Sequence, residues 1–322
     1  MCSYDGYLHG TTNPAYCEGC DATILFMRPA PFFAGVTLAA AALAMFFLVR
    51  DARIPILQPM GPIAAAQMKV IMVTFMLSSL VIVPVFVLLF YFAWKYRAHG
   101  PDTQKHHHPT WDHESPMAEF FWWLIPSGII AILAVVAWQS SHALDPYVPI
   151  PGEKTLEVQV VALNWKWLFI YPELRIASVN ELVIPEDTPV HFTLTADAPI
   201  NSFWIPSLGG QIMVMPGMQT QLNLLADHPG TFEGWSGNLS GKGFSKMMFK
   251  ARSLTNEQYD SWVARVQSET DTPLDPNRYA ALAKESEGYP VTYFFPVDPD
   301  LYTSIHMKYM TAEPSLHEAP DL

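Results

Sequence analysis

The chain has 322 residues, half of them hydrophobic, with a mean hydropathy of +0.16 and a formal net charge of −12. A soluble domain of this length seldom carries so much apolar sequence, so a membrane class comes first. The acidity lies in the C-terminal half, where 22 acidic residues stand against 11 basic ones from Asp145 onward, and this argues against nucleic acid as a partner.

Residues 1–26 read as a polar extension. Cys2, Cys17 and Cys20 all precede the first apolar segment, so the C-terminal half must fold without disulfides and without thiolate ligands. The Cys17-Glu18-Gly19-Cys20 pair has no second pair to complete a metal site. Met27 and Arg28 precede an apolar run over 32–49. Residues 27–54 therefore read as a signal peptide or as a first transmembrane helix. The retained helix is favoured, because 45–49 continue the apolar run past the cleavage candidate Ala42-Leu43-Ala44.

A transmembrane hairpin is predicted over 67–142, with spans at about 70–92 and 120–138, both free of charge. Pro84 and Pro126 are expected to kink the helices, with neighbouring helices absorbing the freed carbonyls. Lys95, Arg97 and Lys105 lie between the spans, which places that loop in the cytoplasm and everything after about residue 143 outside. His106, His107, His108 and His113 read as a solvated part of the same loop, since no carboxylate or cysteine completes a site. Glu119 stands at the cytoplasmic mouth of the second span. A carboxylate bordering an apolar helix is expensive unless it faces water or a partner.

Over 153–252 the pattern changes to short alternating runs at 156–160, 181–184, 190–195, 211–215, 220–225 and 247–251. Turns rich in proline, glycine and aspartate separate them. That spacing predicts a β-sandwich or barrel. In Trp165-Lys166-Trp167-Leu168-Phe169-Ile170-Tyr171, a strand would place Trp165, Trp167, Phe169 and Tyr171 on one face. Large aromatics are the usual anchors of a buried interface, and these four are the candidate interface residues, read as sandwich core together with a docked surface. Residues 253–311 read as a small helical appendage, with Tyr259, Trp262, Val263 and Val266 on one helix face, and 312–322 as a flexible tail.

The stretch Gly234-Trp235-Ser236-Gly237-Asn238-Leu239-Ser240-Gly241-Lys242-Gly243-Phe244-Ser245-Lys246-Met247 has the spacing of a metal loop and almost none of the ligands. As Ser-x-Asn-x-Ser-x-x-x-Phe-x-x-Met it overlays the Cys-x-Glu-x-Cys-x-x-x-His-x-x-Met loop of the dinuclear copper centre in subunit II of the haem-copper oxidases. Upstream, Asn201-Ser202-Phe203-Trp204-Ile205-Pro206 overlays that family's His-x-x-x-Val/Ile-Pro segment, with Asn201 in the histidine's place. Copper needs thiolate sulfur and imidazole nitrogen. Asn201, Ser236, Asn238, Ser240 and Phe244 supply neither, and Met247 alone is a weak soft donor.

The pattern resembles subunit II of the quinol oxidases of cytochrome bo type, over roughly 55–310. The resemblance implies a cupredoxin-like Greek-key sandwich behind the membrane hairpin. It implies one subunit of a complex that oxidises ubiquinol, reduces oxygen to water and pumps protons. This chain would bind no cofactor; haems, copper and ubiquinol would belong to subunit I. Subunit I, subunits III and IV and the lipid bilayer are the implied partners. The implied location is a bacterial inner membrane, crossed more than once, with the large C-terminal domain in the periplasm. Glu119, followed by an apolar run and Trp-x-x-Pro, resembles the mouth of a proton channel into subunit I. Two alternatives stand beside this reading: a cytochrome c oxidase subunit II with a degenerate copper site, and a non-respiratory membrane-anchored cupredoxin-like binding protein.

Overall fold

The structure, a computed structural model, describes residues 55–95, 115–152 and 154–310. The polar extension, the signal-or-span segment, the three cysteines, the histidine-rich loop and the tail lie outside the described residues.

Two long helices, α1 (Pro62–Lys95) and α2 (Pro116–Ala143), contain the predicted spans and run past them at both ends. Each continues through its internal proline, Pro84 or Pro126. Ala64 is the one buried residue among their described side chains, and Phe75 and Trp122 are 69% and 78% exposed. A helix that is apolar all round belongs in lipid or against protein rather than in water. Both are long and apolar enough to cross a membrane. At 1.5 Å per residue α1 spans about 51 Å, more than the roughly 30 Å of hydrocarbon. The helix is thus longer than one crossing needs, and its first turns meet the β-domain. Met60 N–H donates to the Ser207 carbonyl (2.8 Å) and Asp227 N–H to the Met60 carbonyl (3.0 Å). A Cβ on Gly61 would lie 2.2 Å from the Leu225 carbonyl oxygen, so only glycine admits this approach. Past the far end of α2, the backbone and side-chain amides of Asn223 both donate to the Pro146 carbonyl, at 3.2 and 3.0 Å.

The β-domain follows as β1 (Leu156–Leu163), β2 (Lys166–Tyr171), β3 (Ile176–Val179), β4 (Glu181–Pro185), β5 (Val190–Ala196), β6 (Asn201–Ile205), β7 (Gly209–Val214), β8 (Thr220–Leu224), β9 (Gly230–Ser236) and β10 (Met248–Leu254). The appendage adds α3 (Asn256–Glu269), α4 (Pro276–Leu282), β11 (Thr292–Phe294) and α5 (Leu301–Met307). The strands form two sheets, ordered β11-β3-β2-β1-β5-β8 and β4-β10-β9-β6-β7. The chain passes back and forth between the sheets, the sandwich pattern that the alternating runs predict.

The six-stranded sheet is covered on both faces. Toward the other sheet it presents Val158, Val160, Trp167, Phe169 and Tyr171 to the main core. Its other face presents Val161, Leu163, Leu168, Ile170, Ala177 and Val179 to a second core. That core is completed by Leu274, Tyr279, Leu282, Phe294, Leu301, Tyr302 and Ile305 of the appendage. The appendage also adds β11 to the edge at β3, which removes an exposed strand edge. A Thr255–Gln258 capping box starts α3, and its buried Tyr259, Trp262 and Val266 close one end of the main core.

Candidate functional site

The emptied loop joins β9 to β10, and β6 pairs with β9 at its base through Phe203–Ser236 and Trp204–Trp235. This pairing brings the upstream segment beside the loop, as the overlay requires. Three of the ligand positions meet. Ser236 Oγ donates to Asn201 Oδ1 at 2.9 Å, and the Ser236 and Asn201 side chains are buried. Asn201 Nδ2 donates to the Pro199 carbonyl at 2.7 Å. Asn238 Oδ1 accepts from Ser202 Oγ at 3.2 Å, and the Gly237 amide donates to the Ser202 carbonyl at 3.0 Å. The polar atoms at these positions are thus spent on one another. The chemistry agrees: amide and hydroxyl oxygens are hard donors, and a dinuclear copper centre is built from soft thiolate and imidazole. The residues present do not fit the metal.

Ser240, Phe244 and Met247 lie further along the loop. Phe244, in the place of a histidine, lines a cavity of about 300 Å³ with Trp235, Ser236, Met247 and Met248. Met247 is 1% exposed and packs in the main core, as a filler rather than a donor. The loop then tightens, with the amides of Phe244, Lys246 and Met247 donating to Gly241, Gly243 and Phe244 carbonyls at 3.2, 3.0 and 3.0 Å.

The aromatic run divides. Trp165 precedes β2 with a positive φ of 62°, so it leaves the alternation that the sequence suggests. Its half-buried indole lies over the loop, with Nε1–H donating to the Ser240 carbonyl at 3.2 Å. A Cβ on Gly243 would come within 2.4 Å of the ring, so the loop glycine is a condition of the contact. Trp167, Phe169 and Tyr171 are at most 1% exposed. They supply the core half of that reading and not the surface half: all three pack between the sheets, and the opposite face of β2 is covered by the appendage. Tyr171 Oη ties the sheets, donating to the Val183 carbonyl (2.9 Å) and accepting from the Val183 amide (2.8 Å). Burial pushes its phenol well above the ordinary range.

Glu119 lies in the first turn of α2, exposed, with its amide donating to the Ser115 carbonyl at 3.1 Å. An acidic residue here is favoured by the helix dipole. Phe120, Phe121, Trp122 and Trp123 follow it, all exposed, and Tyr91, Phe92 and Trp94 close the neighbouring end of α1. Such aromatics mark a membrane–water boundary.

Two further charged residues were not singled out by the sequence. Lys166, between two tryptophans, is 1% exposed. Its ammonium donates to the Lys284 carbonyl at 2.7 Å and to Ser286 Oγ, and sits 5.0 Å from the Tyr289 ring centre. Burial lowers its pKa. Glu287 pairs with Lys246 at 3.1 Å and Lys242 at 3.8 Å, and the Lys246 ammonium holds its carboxyl below the ordinary range. A lysine inside an aromatic strand is a visible signal for the first. Nothing local announces the second.

Residues 171–254 match the family model for the cytochrome c oxidase subunit II periplasmic domain, and residues 269–313 that for the COX aromatic rich motif. The second match coincides with the appendage that builds the second core. The chain is 44% identical over 268 residues to the cytochrome bo(3) ubiquinol oxidase subunit 2 of Pseudomonas aeruginosa, covering 83% of this chain and 80% of that protein. It is 42% identical to the ubiquinol oxidase subunit 2 of Acetobacter aceti, covering 83% and 86%. It is 37% identical to the quinol oxidase subunit 2 of Bacillus cereus, covering 79% and 86%.

Proposed function

This chain belongs to the family of ubiquinol oxidase subunit 2, and on that premise we propose that it carries no redox centre and serves its complex by docking and proton uptake. As subunit II of a quinol oxidase it is part of an oxidoreductase complex and the partner of subunit I. In the proposed division of work, haems, copper and ubiquinol reside in subunit I. The complex oxidises ubiquinol, reduces oxygen to water and translocates protons. Subunits III and IV complete it. The hairpin crosses a bacterial inner membrane, and the sandwich caps subunit I from the periplasm.

The observation that carries the copper-free role is the Asn201–Ser236–Asn238 network. It occupies three of the ligand positions with side chains that already hydrogen-bond within the loop and the upstream segment. A subunit that received electrons from a soluble protein would need a metal at that loop. The proposed docking surface lies around the same loop rather than on β2. Leu239 is 82% exposed and Met213 52%, and with Ile200, Pro199 and Pro216 they surround a shallow apolar cavity. Trp165 remains as the aromatic support beneath that surface. Glu119 is proposed as the mouth of a proton path, on its place at the aqueous end of an apolar helix.

The test is purification of the intact complex with metal and haem analysis, followed by assays with ubiquinol and with reduced cytochrome c. Copper titration of the complex is expected to give no thiolate-to-copper absorption band. Turnover is expected with quinol alone. Copper bound by this subunit, or turnover with cytochrome c, would overturn the reading.

A further inference from the structure

A metal in such a loop is also a cross-link, and the residues at these ligand positions do not fit one. Three segments distant in sequence meet around it. The first is the loop itself, from Gly234 to Met247. The second is the turn between β1 and β2, where Trp165 and Lys166 are consecutive and point to different neighbours. The third is the segment 284–289 of the appendage. Trp165 covers Gly241 and Gly243 and donates to the Ser240 carbonyl. Lys166 holds the appendage segment through the Lys284 carbonyl, Ser286 Oγ and the face of Tyr289. Asn180 Nδ2 adds a second grip on the same segment, donating to the Tyr289 carbonyl at 2.7 Å. Glu287 then returns to the loop through Lys246 and Lys242.

We infer that the appendage segment 284–289 is a clasp that positions the emptied loop, anchored by Lys166 and closed onto the loop by Glu287, in place of the cross-link that a metal would supply. The inference rests on the emptied-loop reading and extends it. Lys166 and Glu287 are positioning residues: neither touches a substrate, and each acts through the loop.

The geometry sets the relative weights. Lys166 is buried, and its ammonium depends on the carbonyl, hydroxyl and ring that the clasp brings. Glu287 and its lysines are more exposed, with side-chain accessibilities of 31%, 59% and 88%. Exposed ion pairs are weak singly. The closure is therefore sensitive to salt while the anchor is not.

Hydrogen exchange on the full-length chain in detergent tests this, read at the loop amides of Phe244, Lys246 and Met247 and at strand amides of β1 and β2. Glu287→Gln is expected to speed the loop amides about two- to five-fold, the range that an exposed ion pair supports. Added salt should produce the same change in the parent and none in the variant. Lys166→Met should speed the same amides, because the clasp loses its anchor. The β1 and β2 amides should keep their parental rates in Glu287→Gln. Parental loop rates in either variant would break the chain of contacts at that residue and overturn the clasp. So would a uniform rise across loop and strands in Glu287→Gln, which would mean general destabilisation. Metal analysis of the same sample addresses the emptied-loop reading separately, since bound copper would sink that reading whatever the exchange rates.

Discussion

Asp197 gathers three donors onto one carboxylate. Tyr279 Oη donates to Oδ2 at 2.8 Å, Lys308 Nζ to Oδ1 at 2.7 Å, and Tyr309 Oη to the same oxygen. All three come from the appendage, so one residue after β5 fastens α4 and the end of α5 to the sandwich. Burial pushes the carboxyl up, but the hydrogen bonds from Lys308, Tyr309 and Tyr279 outweigh it and hold the group below its ordinary value. The folded pKa is depressed, so this contribution to stability is complete above the unfolded aspartate value of about 3.9. It is lost as pH falls through the lower folded value. Asp197→Ala should lower unfolding free energy by roughly 1–3 kcal/mol near neutrality, chiefly the cost of leaving the buried Tyr279 hydroxyl without an acceptor. Below about pH 3 the difference from the parent should shrink, as protonation weakens the parent's own clamp. Urea titrations at the two pH values measure both. No local pattern in the sequence points to this carboxylate, because its partners lie 82 to 112 residues away in the chain. Lys166 is different: a charge between two tryptophans was legible as an oddity, but its meaning required the appendage.

At the scale of elements, legibility followed alternation. Strands β1, β4, β5, β7, β8 and β10 correspond to the short runs read in the sequence. β3 did not stand out, because Ile176–Val179 is buried on both faces and shows no period of two. β6 and β9 were obscured for another reason: they carry the asparagine and serine of the emptied site, and β9 also has glycines that weaken a strand pattern. The aromatic run is legible as a strand, and from Lys166 onward it is one, but the cover on its other face comes from the distant appendage, which nothing in the run announces. The short helix α5, with seven residues, left too little periodicity to see. The hairpin was the most legible element, and its ends give a prediction. Met60 before α1 and Pro146 after α2 both bond to the β-domain, so these two ends of the hairpin lie at the same end, beside the sandwich. Reporter fusions at Thr103 should be active in the cytoplasm and fusions after Pro151 in the periplasm. The reverse pattern would mean that the lysine and arginine count assigns the wrong side. Gly61→Val should disturb the same junction. Its Cβ would enter the Leu225 carbonyl, and the expected result is protease sensitivity near residue 60 without loss of the sandwich.

At the scale of the whole molecule, the two regions proposed to act are separated by the length of a membrane helix. The emptied loop belongs to the sandwich, beyond the end of α2 that carries Trp138 and His142, and Glu119 occupies the opposite end of that helix. On the proposed reading, the chain offers a docking surface on one side of the bilayer and a carboxylate on the other, with apolar rods between them. If Glu119 opens a proton path, Glu119→Ala should slow oxygen reduction while leaving haem content and assembly intact. The loss should fall short of the roughly 10²–10⁴-fold attached to a positioned proton-transfer group, because nearby water substitutes in part. Glu119→Asp should be milder, since the acid moves by only about one methylene. A carboxylate that merely borders lipid predicts the opposite, because its removal relieves an insertion cost and leaves turnover unchanged. Quinol oxidation on matched amounts of purified complex, followed across a range of pH, separates the two. Parental turnover by Glu119→Ala at every pH would leave this chain a docking subunit alone.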